Sequence, residues 1–183
     1  MIAIGEVLLV VCSLSYLLWW AIAFRPSLRT PSGGGLFLAG AVLGGLGGLV
    51  LLAVGIAALL PKASSLALVA TIVGGVLVGA LLLYLTSSVA HRPVTTELPL
   101  IIVWATVQLA AGITLRTAGV LRAPAASAWI VATAIATLVG LACYLVFYRL
   151  DPIPRYWIGM VPLAVDGVVA AILAAIVTLT QVP

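Results

Sequence analysis

Six apolar stretches set what this chain can become. Each is about long enough, at 1.5 Å per helical residue, to cross the roughly 30 Å hydrocarbon core of a bilayer. They cover about residues 4–24, 36–60, 65–90, 98–115, 126–147 and 158–180. Short segments rich in proline, glycine, arginine and aromatic residues separate them. In hydrocarbon every backbone N–H and C=O must be paired within the protein, and an isolated apolar segment meets that demand as an α-helix. The expected fold is therefore an all-α integral membrane protein. Residues 1–183 form a single transmembrane helical-bundle domain, with about six spans and loops too short to fold by themselves.

Composition points the same way. Of 183 residues, 65% are hydrophobic and 7% charged, against about 25% charged in an ordinary soluble domain. Lipid must act as solvent for most of the outer surface. The net charge of +4 does not indicate nucleic acid, because the eight Lys and Arg residues sit at span ends rather than in one patch. Interfacial anchoring and orientation account for them. Cys12 and Cys143 lie inside spans, form no Cys-x-x-Cys and read as small packing residues. A lone histidine, His91, cannot supply a multi-histidine metal site or paired axial haem ligands. No Walker or Gly-x-Ser-x-Gly motif is present. The one lysine, Lys62, stands at a span end, which argues against a mid-membrane Schiff base. No metal and no cofactor is expected.

The span ends carry interfacial marks. Trp19 and Trp20 precede Arg25 and Pro26; Arg29, Pro31 and Gly33–Gly35 follow in the first loop. Glu6 stands where a secretory signal would carry positive charge, so the first apolar run reads as a retained span. Residues 148–157, with Pro152 and Pro154 among arginines and aromatics, read as a stiff interfacial loop that prolines keep out of the sixth helix. Lys62, Arg116 and Arg122 fall on one side of the membrane. Arg25, Arg29, Arg92, Arg149 and Arg155 fall on the other. The arginine-richer side is expected to be cytoplasmic, with both termini on the opposite, non-cytoplasmic side.

Glycine spacing bears on packing. Gly40, Gly44 and Gly48 repeat every four residues in the second span, and Gly75 and Gly79 do so in the third. Each set occupies one helical face where another backbone can approach closely, within the chain or across a homo-oligomer. A gap-free shift of the sequence pairs Glu6 with Glu97, Arg25 with Arg116 and Pro61 with Pro152. Three spans in each half would make the halves inverted repeats, a plan used by many transporters. Beyond these matched ends, the two halves agree no better than their shared Ala, Leu, Val and Gly content produces.

Polar residues inside spans mark functional candidates, because hydrocarbon penalises them. Asp166 lies about 12 Å into the sixth span. It must face the bundle interior, a water-filled cavity or an intramembrane partner, and is expected to find a donor or be protonated. It reads as a proton or cation site or an acid catalyst, with a structural Asp bonded to neighbouring Ser, Thr or Arg side chains as the alternative. Glu97, Trp104 and Gln108 share a face of the fourth span, with Gln108 near mid-membrane. Ser13 and Tyr16 form a weaker stripe in the first. Glu6 and Glu97 both open their helices, where a carboxylate complements the helix dipole, and Thr95–Thr96 fits a cap for the fourth. Tyr144 and Tyr148 read as interfacial anchors.

The resulting expectation is a small transporter or channel-like protein. Asp166, Gln108, Glu97, Trp104 and Tyr16 would line a polar intramembrane path for a small solute, ion or proton. A membrane-embedded enzyme acting on a lipid or isoprenoid is one alternative, with Asp166 or Glu97 as acid or base. An accessory subunit of a larger membrane complex, packed through its glycine faces, is another. The orientation is directly testable. A reporter active only in the cytoplasm and fused after Pro183 is expected to stay silent; an active fusion reverses the assigned sides.

Overall fold

The computed structural model of the chain describes residues 1–24, 34–89, 91 and 94–180. Arg25, Pro26, Arg29, Pro31, Gly33, Arg92 and Pro93 of the expected loops lie outside the described residues. Six helices follow in order: α1 (Ile2–Ala23), α2 (Gly35–Leu59), α3 (Ser65–Tyr84), α4 (Glu97–Thr117), α5 (Ala123–Phe147) and α6 (Pro152–Thr180). A 3₁₀ turn, Leu60–Lys62, extends α2, and a π-helical turn, Leu85–Val89, extends α3. No strand occurs among the described residues. All six helices are long and apolar enough to cross a membrane, and the chain is an all-α, multi-pass membrane bundle.

The sixth helix begins earlier than the prolines suggest. Pro152 and Pro154 lie in its first turn, where backbone N–H groups have no helical acceptor and proline costs nothing. The expected loop over 148–157 is thus helical from Pro152 onward. Pro162 lies within the helix as well. Arg155 turns back so that its Nε and Nη2 donate to the carbonyl of Leu150, at 3.1 and 2.7 Å.

The turn between α4 and α5 is set by one glycine. Gly119 adopts a left-handed φ of +75°. Its N–H donates to the Arg116 carbonyl at 3.1 Å, and that of Val120 to the Leu115 carbonyl at 2.9 Å. These two bonds close the helix end as a Schellman motif. At the same end of the bundle, the Ser64 N–H donates to Thr117 Oγ1 at 3.3 Å, tying the start of α3 to the end of α4. At the opposite end, the Trp20 indole donates to the Tyr156 carbonyl at 3.1 Å and ties α1 to α6.

Neighbour relations close a ring. α1 packs along α2 and α6; α4 packs along α2, α3 and α5; α5 packs along α6. Helices α1, α2, α4, α5 and α6 therefore surround one interior, and α3 stands outside it against α4. α2 and α3 barely meet, whereas α5 and α6 lie along each other, so the two halves of the chain are packed differently. The packed core gathers Leu52, Leu115, Trp129 and Leu173 toward the end that carries Lys62 and Arg116.

Glycine makes the α1–α2 contact. A Cβ on Gly44 would lie 3.0 Å from the Cys12 backbone N and the Leu8 carbonyl, and one on Gly48 2.9 Å from the Gly5 carbonyl. A Cβ on Gly40 would meet Ser15 Oγ at 3.1 Å. On α3, Gly79 faces Ile102 and Gly75 abuts Thr106, so both belong to the α3–α4 contact. By contrast, Gly74 has nothing within 4 Å of its missing Cβ. Gly48→Ala is expected to destabilise the bundle by about 1–3 kcal/mol through overpacking against backbone. Gly74→Ala is expected to be neutral or stabilising by up to about 1 kcal/mol. Thermal unfolding of both variants in detergent checks the contrast; equal behaviour would remove the claim of backbone-to-backbone packing.

Candidate functional site

On α1, Ile2, Gly5, Glu6, Leu9 and Ser13 are buried. They recur at three- and four-residue spacing and so form one face. The close approach of α2 at Gly5 turns this face into the ring. Glu6 is carried with it and is 0% exposed. Across the interior, α4 is the most enclosed helix, and Gln108 at its middle is also 0% exposed.

These two side chains meet. Gln108 Nε2 donates to Glu6 Oε2 at 3.0 Å. The Trp129 indole of α5 donates to the Gln108 main-chain carbonyl at 2.8 Å. That carbonyl already lies inside the helix, so the indole uses its second lone pair. Gly112 makes room for the ring: a Cβ there would lie 2.6 Å from Trp129 Cδ1. Trp129 is itself 0% exposed, and its carbonyl accepts from the Thr133 hydroxyl at 3.0 Å. The chain Glu6–Gln108–Trp129–Thr133 thus joins α1, α4 and α5 through the middle of the bundle.

The pair is incompletely bonded. Glu6 Oε1 and Gln108 Oε1 are buried and have no hydrogen-bond partner. No positive side chain among the described residues forms an ion pair with Glu6. In a low-dielectric interior, an unpartnered polar atom is costly and an uncompensated charge more so. A proton, a bound cation or a water donor would balance the carboxyl group.

The residues singled out from sequence are dispersed around this pair. Gln108 is part of it. Trp104, one turn away on α4, is half-buried against the core. Glu97 is exposed in the first turn of α4, and the adjacent Thr96 makes no side-chain cap bond. Tyr16 is half-buried on α1. The antiparallel register fixed by the Glu6–Gln108 bond sets it level with the start of α4. Asp166 is half-buried on α6. Its neighbour Gly167 abuts Ser13, where a Cβ would lie 3.0 Å from Ser13 Cβ. Asp166 is therefore roughly 10 Å along α1 from Glu6, and no hydrogen bond joins it to a described residue. Of the expected alternatives for Asp166, a donor or a proton, no donor is found among the described residues.

Glu6 and Trp129 are the functional candidates that sequence reasoning undervalued. Glu6 lies one turn inside α1, not in the first turn, which weakens the dipole reading; its spacing from Gly5, Leu9 and Ser13 was the available signal. Trp129 and Tyr144 are the bulky members of a buried face otherwise made of Ala126, Thr133, Ala136 and Gly140. Two open grooves lie elsewhere. One, of about 280 Å³, runs between α1 and α6 past Ser13 and Gly167. The other, of about 340 Å³, is framed by Trp20, Phe147, Arg155 and Tyr156. Glu6 and Gln108 line neither. No protein-family profile, curated protein or solved structure matches the chain.

The indole bond gives a direct test of the cluster. Trp129→Phe keeps most of the volume but removes the donor to the Gln108 carbonyl. A loss of about 0.6–2 kcal/mol is expected for one interhelical bond in a membrane protein. Gln108→Leu keeps that main-chain carbonyl, so the two losses are expected to be nearly additive in a double-mutant cycle read by thermal unfolding. A large coupling would mean that the indole also holds the amide side chain.

Proposed function

We propose that this protein is a small transporter or channel-like protein that moves a small solute, an ion or a proton across the bilayer. The observation that carries this reading is Glu6. A carboxyl group is enclosed within a membrane bundle and bonded to a neutral amide, with no positive partner among the described residues. An ionised acid at the bilayer centre is penalised by at least about 2.5–3.5 kcal/mol on insertion scales. An ordinary packing position would use an apolar residue at no such cost.

The polar stripe of α4 supports a route to that acid. Glu97 stands exposed at one end, Trp104 lies between, and Gln108 meets Glu6 inside. Tyr16 of α1 borders the outer part of the same route. Leu52 and Leu173 stand level with the pair, and beyond it Leu115 helps close the interior toward the Lys62 end. The stripe thus leads inward from the end where Arg149 and Arg155 sit. On the charge count this is the cytoplasmic side, with both termini outside. Asp166, one α1 level away and without a described partner, is assigned as a second polar station. The α1–α2 and α3–α4 glycine contacts hold the helices that carry the route, and assembly with a second copy remains part of the proposal.

The reading is tested with purified protein in liposomes given, in separate runs, a pH gradient, a sodium gradient or an osmotic gradient of glycerol. At least one gradient is expected to relax faster than in empty liposomes. Glu6→Gln should reduce that rate at least about tenfold, and Asp166→Asn should reduce it while leaving thermal stability unchanged. Rates equal to empty liposomes for all three gradients would reject transport.

A further inference from the structure

Four buried side-chain oxygens lack partners among the described residues, on Glu6, Thr95, Gln108 and Thr114, and two of them belong to side chains that already share a hydrogen bond. Glu6 Oε1 and Gln108 Oε1 are the free atoms; Gln108 Nε2 and Glu6 Oε2 are the bonded ones. A carboxyl and a primary amide can form a cyclic pair with two antiparallel bonds. The amide N–H donates to one acid oxygen, and the acid O–H donates to the amide oxygen. One half of that ring is present. A single proton on Glu6 Oε1, donated to Gln108 Oε1, would supply the other half and satisfy both unpartnered atoms at once.

We propose that Glu6 and Gln108 together form a proton-binding site, in which Glu6 Oε1 carries the proton and donates it to Gln108 Oε1. The proposal rests on the transport reading only for its role, and it names the cargo or coupling ion as a proton. The proton comes from water and returns to water; an O–H bond on Glu6 forms and breaks, and no other covalent bond changes. With the proton bound, the pair is neutral and fully bonded. Without it, a carboxylate is left in the bundle interior.

A metal cation fits the same atoms poorly. Hard cations such as Ca²⁺ and Mg²⁺ gather about six or more oxygen ligands, and the pair offers two free ones. The Gln108 main-chain carbonyl is taken by Trp129. The next buried free oxygen, Thr114 Oγ1, lies six residues further along α4, roughly 9 Å away. No group of three His, Cys, Asp or Glu residues suited to a metal occurs among the described residues.

No charged group forms an ion pair with Glu6 among the described residues, and the nearest charge along the chain is the Met1 amino group, about 7.5 Å away along α1. α2 has no ionisable residue between Gly35 and Leu59. On α4 the ionisable groups are Glu97 and Arg116, roughly 16 and 12 Å along the helix from Gln108, and both are exposed. On α5, Cys143 and Tyr144 lie about 20 Å from Trp129 along that helix. On α6, Asp166 is level with Ser13, and Tyr156 and Arg155 lie at the far end. On α1 itself the groups are Cys12, Tyr16 and the amino group of exposed Met1.

Infrared spectroscopy of the membrane-reconstituted protein reads the proton without any assay of transport. A carbonyl-stretch band of a protonated carboxylic acid is expected in the wild type and should be lost in Glu6→Gln. It should persist in Asp166→Asn. In Gln108→Leu it should move to higher frequency, because the acid loses its hydrogen-bonded partner. If Glu6→Gln fails to fold, glutamate labelled with ¹³C at the side-chain carboxyl replaces it. The chain has two glutamates, Glu6 and Glu97, so labelled Glu97→Gln protein reports Glu6 alone. No protonated-acid band from Glu6 would overturn the assignment; a carboxylate solvated by a buried water would give that result. Dye-loaded liposomes then separate the two claims. A Glu6 band without proton flux keeps this assignment and removes transport. Sodium or glycerol flux without a Glu6 band does the reverse.

Discussion

Lipid gives helices no hydrophobic reward for leaving it, so a membrane bundle is held by close packing and by the few polar groups that face inward. In this protein that constraint acts first at the contact between α1 and α2. Gly5, Gly44, Gly48 and Gly55 remove side chains where the two backbones come nearest, and Ile2, Leu8 and Leu9 fill the space between. Dispersion falls off steeply with distance, and backbones in contact recover attraction that bulkier pairs would lose. The same contact fixes the rotation of α1 about its axis. With Gly5 against α2, the adjacent Glu6 faces the ring rather than the lipid. The polar pair is therefore a consequence of glycine packing.

Several hydroxyl side chains elsewhere are satisfied locally. Thr71, Thr106 and Thr137 return their hydroxyls to the carbonyl four residues earlier, at 2.8, 2.7 and 2.8 Å. Thr117 and Thr178 do the same at 2.9 and 3.0 Å. A hydroxyl bonded in this way can sit at a helix surface without needing a neighbouring helix. Gln108 and Glu6 have no such option, because their longer side chains carry more donors and acceptors than their own helix can absorb. They bond across the bundle instead. The interhelical polar cluster is thus selected by side-chain length and inventory, and its burial follows.

The helices were legible in the sequence because hydrocarbon thickness and apolar run length are nearly the same information. Their ends were less legible where proline is concerned. Pro152 looks like a helix breaker until its position in the first turn is known, where the missing N–H has no acceptor to lose. The glycine spacing in α2 identified a close-packed face but could not say which helix it meets. Gln108 was identifiable from cost alone. Glu6 was not, since a carboxylate near a helix start has a cheap local explanation, and only the approach of α2 and α4 removes it. Asp166 shows the converse: its cost in hydrocarbon was evident, yet the structure leaves it half-buried between α1 and α6, away from the pair.

The distribution of packing along the bundle bears on how a buried acid could exchange its proton. Toward the Lys62 end, Leu52, Leu115, Trp129, Leu173 and Val177 pack as one apolar cluster, with the buried Thr114 hydroxyl beside it. Toward the Arg155 end, Tyr16, Trp104 and Asp166 are only half-buried. On the proposed reading the Glu6–Gln108 pair sits at the boundary between these halves and exchanges with the second. Movement of cargo through the apolar half then requires a second arrangement of the helices, with a free-energy gap that protonation of one carboxyl can bias. The α1–α2 contact, built on backbone, is poorly suited to that change. Trp129 is better placed. Its indole packs against Gly112, bonds the Gln108 carbonyl and belongs to the apolar cluster, so it touches both the acid–amide pair and the barrier beyond it.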